Sequence, residues 1–533
     1  MPCVETAQGV VANKQMYNIT EMQEKVTDLE NAIAAFKAAN YVAYEGVAYV
    51  QSVATGKYMA AGHDWGTRAI VNEIGLDLTF ASNAVTKKVT IDSQVSNGGD
   101  SHFLGSNLYM DSNAFEWIIE KFGENYSISN GEKYLGVDEK DNLALVDDAY
   151  AWAIVPDTDV KAARMATLEG ATEIDPVDAT WMMSNPNFNR NDQRVSAWAV
   201  SEDCTNKNLN GGNQVNNCAE SFHSTFTISQ AITGAPAGLY KLTAQGFYRQ
   251  DQDNDKNDVT EAAPKFFIGT ETAEVPARAG EESSMNAASE SFANGQYTIA
   301  PIEFFYDGEN TLTVGVKGTA LYQWVIFDNF QLSYLGMPSA VVAKAIDDDY
   351  FTFSSKYPVD LANLPEGLKA YYVDKVEGDE AYVEEATGAV AAGTGLLLKA
   401  ETADEYEIPV VATSNKLDGN LLVGVQEKDA QKPAIQGEGY YVLIDAADGV
   451  EFSQVNGGVP VELSQLVGKA YLYYASAIAG KLRIVFPGEA TAINSLDAEA
   501  QKSGKGIYNL SGQKVNAGYK GIVIVNGKKV MMK

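Results

Sequence analysis

Apolar side chains recur at intervals of three and four in the segment "TEMQEKVTDLENAIAAFKAA", where Met22, Val26, Leu29, Ile33 and Phe36 fall on one side. This spacing predicts one amphipathic helix over 20–39, a lead-in to the rest of the chain. Past Asn40 the pattern changes to short runs of alternating apolar and polar residues broken by Gly, Asn, Asp and Pro, which predict strands and turns. One helical interruption, "DTDVKAARMATLEGATEID" at 157–175, reads as a connector. The fold class is therefore mainly β, with helix in the minority.

Between 41 and 156 the strand pattern repeats three times, with a period of about 35 to 40 residues. Each unit pairs an aromatic-apolar doublet after a polar turn (Tyr58-Met59, Phe103-Leu104, Tyr134-Leu135) with a closing aromatic (Phe80, Trp117, Trp152). A single unit cannot bury its apolar face alone, whereas three can close around a shared core. The arrangement resembles the β-trefoil modules of ricin-like lectins. It departs from them in ending on "FEW" and "YAW" where those lectins have Gln-x-Trp. The resemblance implies a β-trefoil, with sugar contacts expected at the loop residues His63, Asp64, Trp65, Asp100 and His102; their plainer role is turn structure.

At 533 residues the chain exceeds what one core supports, so several domains are expected. We place a helical segment at 1–40, the trefoil-like module at 41–156, a linker at 157–175, and further modules at 176–336, 337–487 and 488–533. A formal net charge of -32 argues against a nucleic-acid partner, which needs a concentrated positive surface. No apolar run is long enough to span a bilayer as a helix. The opening "MPCVETAQGV" has neither a basic n-region nor an apolar h-region, so the natural start, and with it a signal peptide or another domain, is expected upstream.

The segment 176–336 carries most of the candidate chemistry. "SNPNF" at 184–188, Trp198, "GLYKLTAQGFYRQ" at 238–250 and the closing "YQWVIFDNFQLSYLG" resemble a galactose-binding-like jelly roll of the carbohydrate-binding-module type. A pyranose offers an apolar face and a rim of hydroxyls, so its binder needs an aromatic surface together with amide, carboxylate or guanidinium partners. Candidate glycan contacts are Trp198, Tyr248, Arg249 and Trp324, with Leu209 and Asn213 in the Asn-rich loop as another wall. The resemblance also implies a structural calcium held in part by Asp328, although Asn189 stands where such modules usually place Glu. Cys204 and Cys218 flank the loop "TNKNLNGGNQVNN" and are expected either to close a disulfide or to remain two free thiols. His63, His102 and His223 are scattered, so a His-rich metal site is not expected.

Residues 339–486 read as a β-sandwich without a chemical constellation. The chain ends "GIYNLSGQKVNAGYKGIVIVNGKKVMMK", with turns predicted at Ser511-Gly512 and Asn526-Gly527. This pattern resembles the C-terminal sorting domain of the type IX (Por) secretion pathway, and implies delivery by that machinery to the outer cell surface or medium. No nucleophile elbow, H-E-x-x-H, P-loop or G-x-G-x-x-G motif occurs. The expected function is non-catalytic glycan binding, with no resident cofactor beyond that calcium. The alternatives are a surface structural protein or adhesin, or the accessory part of a glycoside hydrolase whose catalytic domain lies upstream.

Overall fold

The computed structural model describes residues 18–62, 66–96, 101–189, 197–213, 216–347, 349–446, 449–455, 459–476, 480–488, 507–509, 514–515, 520–525 and 528–532. It is mainly β, and the chain divides after Met337 into two units.

The described residues of the first unit begin with helix α1 (Ile19–Asn40), one residue longer at each end than the spacing predicts. Asn18 caps it reciprocally: its side chain accepts from the Glu21 amide at 2.9 Å, and the Glu21 carboxylate accepts from the Asn18 amide at 2.9 Å. At Tyr41 the backbone becomes extended, and the Val42 amide bonds the Ile119 carbonyl at 2.8 Å, joining the first sheet.

That sheet closes its segment end to end, because Gly46–Ser52 pairs antiparallel with Trp152–Pro156, Ser52 opposite Trp152. Two of the three repeats share one buried contact, and the other replaces it. Met59, Leu104 and Leu135, the second member of each doublet, are all fully buried. The Leu104 carbonyl accepts the Trp117 indole N–H at 2.9 Å, and the Leu135 carbonyl accepts that of Trp152 at 2.8 Å. Phe80 has no N–H to give, and in its unit the Leu76 amide bonds the Met59 carbonyl at 2.9 Å. Each buried carbonyl is thus satisfied, as it must be where water is excluded.

The connector forms helix α2 (Asp157–Leu168), with Val160 and Leu168 buried. Its Arg164 ties the two modules of this unit together. The guanidinium donates to the Ile74 carbonyl and lies 5.1 Å from the Tyr49 ring, 5.5 Å from Tyr58 and 5.9 Å from Trp181. Gly336, at φ +83°, lets the chain pass the Ala171 carbonyl, which a Cβ would meet at 2.2 Å.

The second module is built on three long antiparallel strands, β1 (Asn217–Ile232), β2 (Gly238–Gln250) and β3 (Leu312–Tyr334), with β3 between the other two. Side chains alternate between faces. Ala219, Leu242, Ala244, Val325 and Phe327 enter the main core, whereas Cys218, Phe247, Trp324 and Ile326 point the other way and are covered in part by helix α3 (Met285–Ala293). This alternation corrects the disulfide expectation: Cys204 and Cys218 are buried free thiols. Cys204 lies in the main core near Ser221, while Cys218 faces α3, its sulfur 3.5 Å from the Ser289 hydroxyl. They lie on opposite faces of the sheet, and the loop joining them cannot bring their sulfurs together through it.

The second unit contains a nine-stranded sheet, antiparallel except where Glu380–Glu385 runs parallel to Lys481–Val485. Two sets of buried residues sit around it, one centred on Leu396, Leu398 and Ile408 and the other on Val373, Tyr441 and Phe452. The described end of the chain is a four-stranded antiparallel sheet in which Gly521–Val525 lies between Ile507–Asn509 and Lys528–Met532. The turns predicted at Ser511-Gly512 and Asn526-Gly527 lie outside the described residues.

Candidate functional site

A bulge in the second module gathers its half-exposed chemistry. The pairing of β1 with β3 shifts register between Phe222 and Ser224, and His223 adopts φ +48°. Neighbouring residues on a regular strand point to opposite faces, and a bulge re-aims one of them. Here the Phe222 and His223 rings stack, with centroids 4.0 Å apart and 8° between planes.

From that position His223 Nε2 lies 3.0 Å from Asp251 Oδ2. Asp251, just past the end of β2, also accepts from Arg249, Nε to Oδ1 at 2.7 Å and Nη2 to Oδ2 at 2.8 Å. The guanidinium carbon lies 4.8 Å from the Trp324 ring centroid, and the Trp324 indole N–H donates to Glu220 at 2.6 Å. Strand register makes this a row, since Phe222 and Arg249 are the partners of Trp324 on its two sides. The backbone beside the row is held as well: Glu261 accepts from the Leu321 and Tyr322 amides at 2.9 Å each, and the Tyr322 carbonyl accepts from the Asp251 amide at 2.8 Å. This leaves the Tyr322 ring 6.3 Å from His223.

Hydrogen bonding favours the charged form of Asp251. The hydrogen bonds from Arg249, and secondarily from His223, hold the Asp251 carboxyl below the usual carboxylate range against the opposing effect of burial. Trp324 is 4% exposed and forms a floor, while the side chains of His223, Arg249 and Asp251 keep 33%, 26% and 22% of their surface. The arrangement presents aromatic surface, a fixed guanidinium, two carboxylates and an imidazole on one shallow face.

Of the residues singled out in the sequence, Arg249 and Trp324 meet here and the others do not. Tyr248 alternates to the opposite face, half-buried against the main core. Trp198 is a core residue, 2% exposed, packed on Phe188 and Phe330 with its indole N–H directed to the Ser184 and Asn185 carbonyls. Leu209 packs against the same core, and Asn213 reaches Asn286 and Glu290 of α3 at 3.4 Å. In the first module His102 pairs with Asp92 at 2.6 Å and stacks on Phe103, while His63, Asp64, Trp65 and Asp100 lie outside the described residues.

The surroundings of Asp328 do not fit a calcium cage. It is fully buried; one carboxylate oxygen accepts from the Asn216 side chain at 2.7 Å and the other has no partner. Among the described residues no group of three or more His, Cys, Asp or Glu could hold a metal ion, and burial pushes the Asp328 carboxyl well above its ordinary range. Calcium takes about six to eight oxygens, preferably charged ones, and Asp328 brings a single carboxylate with one oxygen already taken by Asn216.

Glu220, Phe222, His223, Asp251 and Tyr322 were not singled out as ligand contacts in the sequence. The hydrophobic alternation of "ESFHSTF" would have indicated a strand, but no residue in it announces the bulge that turns His223 toward Phe222. No protein-family model matches this chain, and no curated protein matches it.

Proposed function

We propose that this chain is a non-catalytic glycan-binding protein, and that its 176–336 module, a galactose-binding-like jelly roll, holds sugar on the face formed by Phe222, His223, Arg249, Asp251 and Trp324. The observation that carries the reading is the Arg249–Asp251 pair fixed over Trp324 beside the Phe222–His223 stack. A sugar's C–H face packs on half-buried rings while its hydroxyls bridge a carboxylate and a guanidinium, and both are present at fixed positions. Pre-set polar groups also lower the ordering cost of binding.

On this reading the 41–156 segment is a β-trefoil that acts as a second module. The closing strands are a type IX sorting domain, which delivers the protein to the outer cell surface or medium, and the secretion machinery is its second partner. The terminal pattern in 506–533 supports that address.

The test is a glycan array and an insoluble-polysaccharide pull-down with the full chain. Binding by the wild type, lost in Arg249→Ala and in Phe222→Ala, retained in Tyr248→Phe and unaffected by EDTA, is the expected outcome. Equal binding by Arg249→Ala and wild type would remove this face from the reading, and no binding to plant, host or microbial glycans would remove the function.

A further inference from the structure

We propose that α1 is one strand of a parallel two-stranded coiled coil formed with a second copy of this chain. Helices of globular proteins bury a broad apolar stripe, whereas a coiled-coil helix carries a narrow one confined to positions a and d of a heptad. In α1 the large apolar residues are Ile19, Met22, Val26, Leu29, Ile33 and Phe36, spaced 3-4-3-4-3, and no other position in Ile19–Asn40 carries one. With Ile19 as a, the three a positions are all β-branched (Ile19, Val26, Ile33) and the d positions (Met22, Leu29, Phe36) are not. That division favours two parallel strands over three or four.

Four of the six seam residues are exposed within a single chain, Ile19 keeping 75% of its surface, Val26 55%, Ile33 44% and Phe36 51%, while Met22 and Leu29 are half-buried. At about 1.5 Å per residue the helix is about 33 Å long, and its reciprocal Asn18–Glu21 cap sets its start independently of any neighbour. Charge selects the partner's direction. Lys25 occupies a g position and Glu30 the e position of the next heptad, so in a parallel pair each Lys25 meets the other chain's Glu30 on both sides of the seam. Within one chain Lys25 makes only an exposed contact with Asp28 at 3.4 Å, a weak competitor. A second copy therefore supplies both the apolar face and the charge pattern that α1 lacks on its own, and association makes the glycan-binding modules bivalent.

The test is the mass of the full chain by light scattering and sedimentation at about 100 µM, a hundredfold above a micromolar Kd. A mass of two chains is expected, falling to one in Val26→Glu/Ile33→Glu while the β-sheet circular dichroism and thermal unfolding stay as in wild type. Lys25→Glu and Glu30→Lys singly weaken the dimer several-fold, and the double reversal restores it. Ile19→Cys in a Cys3→Ser background cross-links to itself on oxidation. A single-chain mass at that concentration, or a dimer untouched by Val26→Glu/Ile33→Glu, overturns the proposal; a three-chain mass overturns the two-stranded form, and a dimer that does not cross-link at position 19 overturns the parallel one. None of these readouts involves sugar.

Discussion

Asp251 grips Arg249 through two hydrogen bonds of 2.7 and 2.8 Å, and that grip holds the guanidinium over the Trp324 ring. A free arginine would sample many rotamers above the sheet. With Asp251 also bonded to His223, the carboxylate is shared between a permanent cation and a titratable ring.

Asp251→Asn tests that sharing. The amide has one acceptor oxygen and no charge, so the two-oxygen grip is lost and glycan binding is expected to fall at least as far as in Phe222→Ala. The stability cost is about 1 kcal/mol, small because the pair is partly solvated, and is read from the urea midpoint. The sign with pH follows from the depressed carboxyl: the pair's contribution is present above the unfolded carboxylate's pKa and is lost as pH falls through the lower folded value. Asp251→Asn should flatten that acid limb.

How far the sequence reveals this site depends on the residue. Arg249 is legible because it sits where an apolar strand gives way to a polar loop, and Trp324 because a tryptophan inside an apolar run is a visible pattern; β2 and β3 are strands. Tyr248 fails by one position: strand alternation sends it to the core, and which of the adjacent Tyr248 and Arg249 faces outward depends on a register set by the shift between Thr243 and Gln245. His223 is hidden for a related reason, since its bulge is a pairing irregularity between segments about a hundred residues apart. Trp198 is the opposite case, an aromatic whose size makes burial its default. The strands were legible from local alternation; the faces that carry the chemistry are set by long-range pairing.

The Trp117 and Trp152 indoles make a second prediction. Each satisfies a buried leucine carbonyl in its own repeat, whereas the unit closed by Phe80 uses the Leu76 amide instead. Trp117→Phe or Trp152→Phe therefore copies the Phe80 side chain without its backbone donor. Each is expected to destabilise by about 2 kcal/mol or more, from an unpaired carbonyl plus lost volume, measured by chemical denaturation. A cost under about 0.5 kcal/mol would mean that another donor or water takes over the carbonyl.

Thiol labelling separates the two cysteine outcomes. Burial pushes the Cys218 thiol up to about 12, so it is scarcely ionised near neutral pH, and Cys204 is buried as well. Iodoacetamide should leave both unmodified in the native chain and label all three cysteines in denaturant without reductant. Labelling of only one in denaturant would demonstrate a disulfide.

Asp328 gives the prediction with the least ambiguous sign. Its carboxyl is fully buried with one oxygen unpaired, and desolvation outweighs the Asn329 and Asn216 hydrogen bonds, raising its pKa well above the ordinary 3.8. The folded chain then binds a proton that the unfolded chain has released, so stability falls as pH rises from the unfolded value toward the folded one. Asp328→Asn keeps an acceptor for Asn216 and nearly the same volume but cannot ionise. Subtracting its denaturation midpoints from those of wild type, pH by pH, cancels the other titrating groups. The variant should gain on wild type as pH rises, with the difference levelling off above the folded pKa. A difference that runs the other way, with wild type gaining as pH rises and more so with added Ca²⁺ than with EDTA, would mean that the carboxylate is charged and held by a cation, and would restore the calcium site that its surroundings argue against.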